Sequence, residues 1–109
     1  MAYTYKVLAQ SAPSATTNTD IYTVGSGKQA IVSTITIANR SAATETYRIA
    51  IRPAGTTLAN QHYIAYDAAI LANDSILLTI GLTLAATDVV TVRASTADLT
   101  FNLFGSEIS

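Results

Sequence analysis

From residue 28 to residue 38 the chain changes character with a period of two. Ile31, Ser33, Ile35 and Ile37 fall on one side of an extended chain, and Ala30, Val32, Thr34, Thr36 and Ala38 on the other. β-Branched residues carry the alternation, the pattern of a strand with one strongly apolar face. The Gly25-Ser26-Gly27 turn leads into it, and Asn39 begins a polar connection over residues 39–44.

The same alternation recurs along the chain. Residues 3–9 set Tyr3, Tyr5 and Val7 against Thr4, Lys6 and Leu8, an edge strand, and residues 20–24 form a short strand. Over residues 46–52, Tyr47, Ile49 and Ile51 oppose Thr46, Arg48, Ala50 and Arg52, as in an antiparallel sheet with one wet face. Residues 62–67, 76–80, 89–95 and 99–104 predict four more strands. Val90, Val92 and Ala94 share one inner face, and Leu99, Phe101 and Leu103 another. Residues 68–72 have the propensity for one helical turn, too short to stand alone, and residues 81–88 read as a connection. Turn signals every 8–12 residues between short β-rich runs predict an all-β antiparallel β-sandwich, jelly-roll or Ig-like, of about seven or eight strands. One domain is expected: a strand and arm over residues 1–19, then the sandwich over residues 20–109.

Composition narrows the chemistry. The 109 residues include no cysteine, so neither a disulfide framework nor a thiolate metal site is possible. That fits synthesis in a reducing cytoplasm. Charged residues make up 12% and the net charge is −1, well below the roughly 25–35% charge usual for a solvated surface. Thr, Ser, Asn and Gln do the polar work, and a surface of that kind is cheaply desolvated against other protein. Nothing in the charge favours nucleic acid. No secretory signal opens the chain, no apolar run reaches the ~20 residues of a membrane span, and Asn39-Arg40-Ser41, although a glycosylation pattern, reads as a turn.

Candidate reactive groups fall away one by one. His62 is the only histidine, which rules out a multi-histidine metal site, and no nucleophile elbow accompanies it. The acids Asp20, Glu45, Asp67, Asp74, Asp88, Asp98 and Glu107 cluster at turns and strand ends, where carboxylates cap backbone amides. There is no calcium-loop spacing. Gly25-Ser26-Gly27-Lys28 precedes a strand and lacks the phosphate-loop spacing. The expectation is a non-enzyme without catalytic residues, metal or cofactor. The partner-contact candidates are Tyr3 and Tyr5, on one face near the terminus, and Arg48 and Arg52, on an outward strand face.

Three stretches resemble a known group. Ile21-Tyr22-Thr23-Val24, a turn, Gly27-Lys28 and the strand ending Ile37-Ala38-Asn39-Arg40-Ser41 resemble the YTVPxGK opening of small β-sandwich virion proteins of tailed phages, cyanophages included, with Gly25 in place of Pro. Leu82-Thr83-Leu84 before Thr87-Asp88 and Val89-Val90-Thr91-Val92 is similar to their "L-x-L…GD-x-[IV]-x-V" segment, with Thr87 in place of Gly. Phe101–Glu107 is similar to their closing strand and Phe-Gly. The resemblance implies a capsid cement or decoration protein, often trimeric, that bridges capsomers of the shell. Its partners would be the major capsid protein or other virion proteins and further copies of itself, with neither nucleic acid nor membrane. Its place would be the virion, after synthesis in the host cytoplasm. Residues 2–19 are then an arm reaching a neighbour. The runners-up are a tail, neck or baseplate component and a carbohydrate- or receptor-binding module using Tyr63, Tyr66, Asn60 and Gln61.

Overall fold

A computed structural model describes residues 2–109. Eight strands follow one another: β1 (Tyr3–Ser11), β2 (Thr19–Thr23), β3 (Gln29–Asn39), β4 (Glu45–Arg52), β5 (Tyr63–Ile70), β6 (Ser75–Leu84), β7 (Val89–Ala94) and β8 (Leu99–Ile108). Short 3₁₀ turns at Pro53–Gly55 and Asn60–His62 link β4 to β5. Turn chemistry separates the strands where the sequence predicts it. Lys28 N donates to Gly25 O at 3.1 Å, with Gly27 at φ +73 in the third position, the conformation glycine adopts without strain.

The strands form two four-stranded antiparallel sheets, ordered β1-β8-β3-β6 (the front sheet) and β2-β7-β4-β5 (the back sheet). First strand pairs with last, second with seventh, third with sixth and fourth with fifth. The chain is therefore one long hairpin, its tip at β4–β5, wound so that successive pairs fall in alternate sheets. Contacts β8–β3 and β7–β4 complete the two layers. That winding is a jelly roll and not an immunoglobulin-type sandwich.

Between the sheets lie Ile35, Ile37, Leu99, Phe101 and Leu103 from the front and Tyr47, Ile49, Val90 and Val92 from the back, all buried. Tyr47 meets Phe101 edge-on, with ring centroids 6.5 Å apart at 73°.

Three expectations are corrected. In β3 the inner face is Ala30 and Val32, then Ile35 and Ile37, while Ile31 points outward. The register slips between Val32 and Thr34, so Ser33 is an extra residue and the alternation changes side there. Residues 81–84 continue β6 across Gly81 (φ +61) instead of forming a connection. Residues 68–70 are the end of β5, since ladder bonds to β4 outweigh a weak helical propensity.

Irregularities at Leu8, Ser33 and Ile80–Gly81 line up across the front sheet. Gly105 of β8 lies on the same line, and a Cβ there would collide with the Ile31 carbonyl oxygen.

Candidate functional site: two outer faces of opposite character

Residues directly opposite in an antiparallel ladder share a face, so the register fixes what each sheet shows to the outside. Across the front sheet from β1 to β6, one outer row reads Tyr5, Ser106, Ile31, Thr83. The next reads Val7, Phe104, Thr34, Thr79, and a third Gln10, Asn102, Thr36, Leu77. Tyr3, Ile108 and Gln29 extend the face at one end; Thr100, Ala38 and Ser75 extend it at the other. None of these residues is charged. Tyr3, Tyr5, Val7, Ile31, Leu77 and Ile80 are exposed, Tyr5 to 79% and Leu77 to 67%.

The only charged side chains of the front sheet, Lys6 and Glu107, are on its inner side. Lys6 lies opposite Gly105 and Glu107 opposite Ala30, a core residue. Lys6 Nζ is 2.7 Å from Glu107 Oε1, and Tyr22 Oη of the back sheet donates to Glu107 Oε2 at 2.6 Å. These bonds hold the Glu107 carboxyl below the usual carboxylate range, Lys6 contributing most. Burial first, then the bond to Glu107, pushes the Tyr22 phenol well above its ordinary value.

The back sheet carries its charge outward. Arg48 Nε and Nη2 donate to Asp67 Oδ1 and Oδ2 at 2.7 and 3.2 Å, and the guanidinium lies 4.1 Å over the Tyr66 ring. A bulge aims these groups: two residues of β5, Tyr66 and Asp67 (φ +50), stand opposite Arg48 alone. The Arg48 bond lowers the Asp67 carboxyl and raises the Arg48 guanidinium. Arg52 spans Thr91 Oγ1, Gly55 O, Thr56 O and Asp20 Oδ2 at 2.9 to 3.1 Å, and Thr91 Oγ1 donates to Asp20 Oδ1. Arg93, directly opposite Arg48, has no ion-pair partner among the described residues.

The four contact residues expected from the sequence thus divide. Tyr3 and Tyr5 are on the uncharged front face, whereas Arg48 and Arg52 are on the back, both engaged within the chain. The terminal segment is a strand: β1 pairs with β8 from Tyr3 to Ser11. Beyond it Pro13 is buried and Thr16 N donates to Ala94 O at 2.7 Å. Sequence reasoning missed Ile31, Leu77 and Ile80 as surface residues. Its signal was the run Ile76-Leu77-Leu78, apolar on both sides of a strand.

His62 Nδ1 accepts the Ala59 amide at 3.1 Å and staples its own turn. Among the described residues no group of three or more His, Cys, Asp or Glu converges to hold a metal ion, and no helix is long and apolar enough to cross a membrane. Asn39 is not in a turn but is the buried end of β3. Its amide donates to Ala43 O, Ile70 O and Leu71 O. What the geometry shows is a broad uncharged sheet face backed by one that carries ion pairs.

Compared with family models, with curated proteins and with solved structures, the chain matches none.

Proposed function

We propose that this protein is a structural component of a phage virion, a capsid cement or decoration protein that stabilises the shell by bridging capsomers. The observation that carries the reading is the separation of charge between the two outer faces. The back face carries the Arg48–Asp67 and Arg52–Asp20 ion pairs together with Arg93. The front face exposes Tyr3, Tyr5, Val7, Ile31 and Leu77, and none of the residues in its outer rows is charged. A sheet face of that kind is suited to burial against protein in an assembly of many copies. Its partners in this reading are the major capsid protein, other virion proteins and further copies of itself. A component that binds only the assembled shell stabilises it by mass action, with no chemistry required.

The family-like segments support the same reading, because they meet in space. The Ile21–Val24 segment pairs with the Val89–Val92 segment through β2 and β7. Val24 N donates to Asp88 O at 3.0 Å, and Thr87 N donates to Val24 O at 2.9 Å. Thr87, where the pattern has Gly, adopts φ +66, a conformation that favours glycine. A sugar-binding reading is less well supported. Tyr63 and Tyr66 stand at 86° to each other and Arg48 covers the Tyr66 ring, so they make no flat stacking platform.

Gold-labelled antibody on intact source particles, with copy number from quantitative gels, tests the proposal. Label spread over the head at high copy is the expected result. Label confined to neck, tail or baseplate would replace the shell role by a connector role, and absence from particles would end the virion reading.

A further inference from the structure

We propose that the uncharged front face is covered by a second copy of this chain, in a face-to-face dimer whose two-fold axis runs parallel to the strands between β8 and β3. The inference concerns the purified chain and does not rest on the virion reading.

The side-chain rows argue for it. Rotation about that axis reverses each row, so β1 lies over β6 of the other copy and β8 over β3. In the first row Tyr5 then faces Thr83, and Ile31 faces Ser106, which is recessed and buried. In the second row Phe104 faces Thr34, and in the third Leu77 faces Gln10. In the first two rows each large residue meets a small one, the interdigitation that sheet-on-sheet packing needs at a spacing of about 10 Å. A two-fold axis across the strands, through the second row, would instead set each strand on itself with Phe104 on Phe104 and Val7 on Val7. The interface is isologous, so the face must be compatible with itself. Without charges it has no like-charge conflict, and it offers a charged partner nothing to pair with.

Size argues the same way. Four strands about 4.8 Å apart and nine to eleven residues long, at about 3.3 Å per residue, span an area of about 600 Å². Two such faces bury about 1,200 Å² in total, where specific interfaces begin. The edges of the back sheet are blunted, β2 by its five residues and β5 by its bulge and Asp67, but β1 and β6 at the front are long and carry no outward charge.

Analytical ultracentrifugation of the purified chain at about 0.1 mM, where a micromolar Kd already favours association, tests the proposal. A dimer mass is expected. Ile31→Lys combined with Leu77→Lys is expected to raise the dimer Kd by about a hundredfold or more, because each copy then buries unpaired charge. Ile64→Lys, at an exposed apolar position of the back sheet, is the control and should leave Kd within about twofold. The chain has no cysteine, so the register can be read directly. Tyr5→Cys with Thr83→Cys sits on opposite edges of one sheet, about 14 Å apart and beyond disulfide reach within a chain. Across the proposed interface the two positions face each other at about the 10 Å sheet spacing, so a bifunctional thiol reagent of about that length should join the double variant into a covalent dimer much faster than Tyr5→Cys alone. A monomer or trimer mass, a dimer indifferent to both lysines, or equal cross-linking by Tyr5→Cys alone would each overturn the proposal. A monomer that binds shells through this face would assign it to another protein.

Discussion

Tyr22 Oη donates a 2.6 Å hydrogen bond to Glu107 Oε2, joining the second strand of the chain to the last and one sheet to the other. Lys6 of the first strand completes the group at 2.7 Å. The three residues close one end of the sandwich with a polar cluster in place of further apolar packing.

This cluster makes stability depend on pH at both ends. The folded pKa of Glu107 is below its ordinary value of 4.5. The unfolded chain therefore binds the proton more readily, and the contribution of Glu107 is complete above about pH 4.5 and lost as pH falls through the folded value. Tyr22 has the opposite sign. Its folded pKa is above the ordinary 10.0, so its contribution is complete below about pH 10 and lost as pH rises beyond it. Glu107→Gln should cost about 1–3 kcal/mol at pH 7 and flatten the acid limb of a urea-midpoint profile. It will not abolish that limb, because Asp67 is lowered too. An unchanged acid slope would refute this assignment.

Gly105→Ala should cost about 3 kcal/mol or more, because β8 and β3 must separate to admit the Cβ. Gly81→Ala is the contrast. Its Cβ meets nothing within 4 Å, so only the left-handed conformation is penalised, by about 1 kcal/mol. Equal losses in thermal melts of the two variants would contradict the steric account.

Thr87→Gly should stabilise the protein by about 0.5–1 kcal/mol, since a β-branched residue at φ +66 is strained. The ladder bond from residue 87 N to Val24 O is kept in the variant. A lower denaturation midpoint would show that the Thr87 hydroxyl, 2.6 Å from Ala86 O, outweighs the strain.

Asn39→Ala should cost about 2–3 kcal/mol, because the backbone oxygens of Ala43, Ile70 and Leu71 lose a shared buried donor. Asn39→Asp should be worse, with a carboxylate facing the same carbonyls. The order wild type, Ala, Asp in chemical denaturation checks the claim.

The sequence by itself determined that there are eight short strands and roughly where each lies, with the ends of β5 and β6 left short. Alternation and turn chemistry are local, so Gly25-Ser26-Gly27, Asn73-Asp74 and Thr96-Ala97-Asp98 mark the breaks without knowledge of partners. It also made Tyr3 and Tyr5 legible as surface residues, because they share one side of a terminal strand. Only the tertiary structure decided which faces turn outward. Ile31 reads as a core mate of Ile35 until the bulge at Ser33 reverses the alternation, and that bulge exists through pairing with β6 and β8. Gly81 reads as a strand end until β3 pairs across it. The uncharged front face is assembled from four strands distant in sequence, so no local window contains it. Register between strands is a non-local property, and the candidate site depends on register.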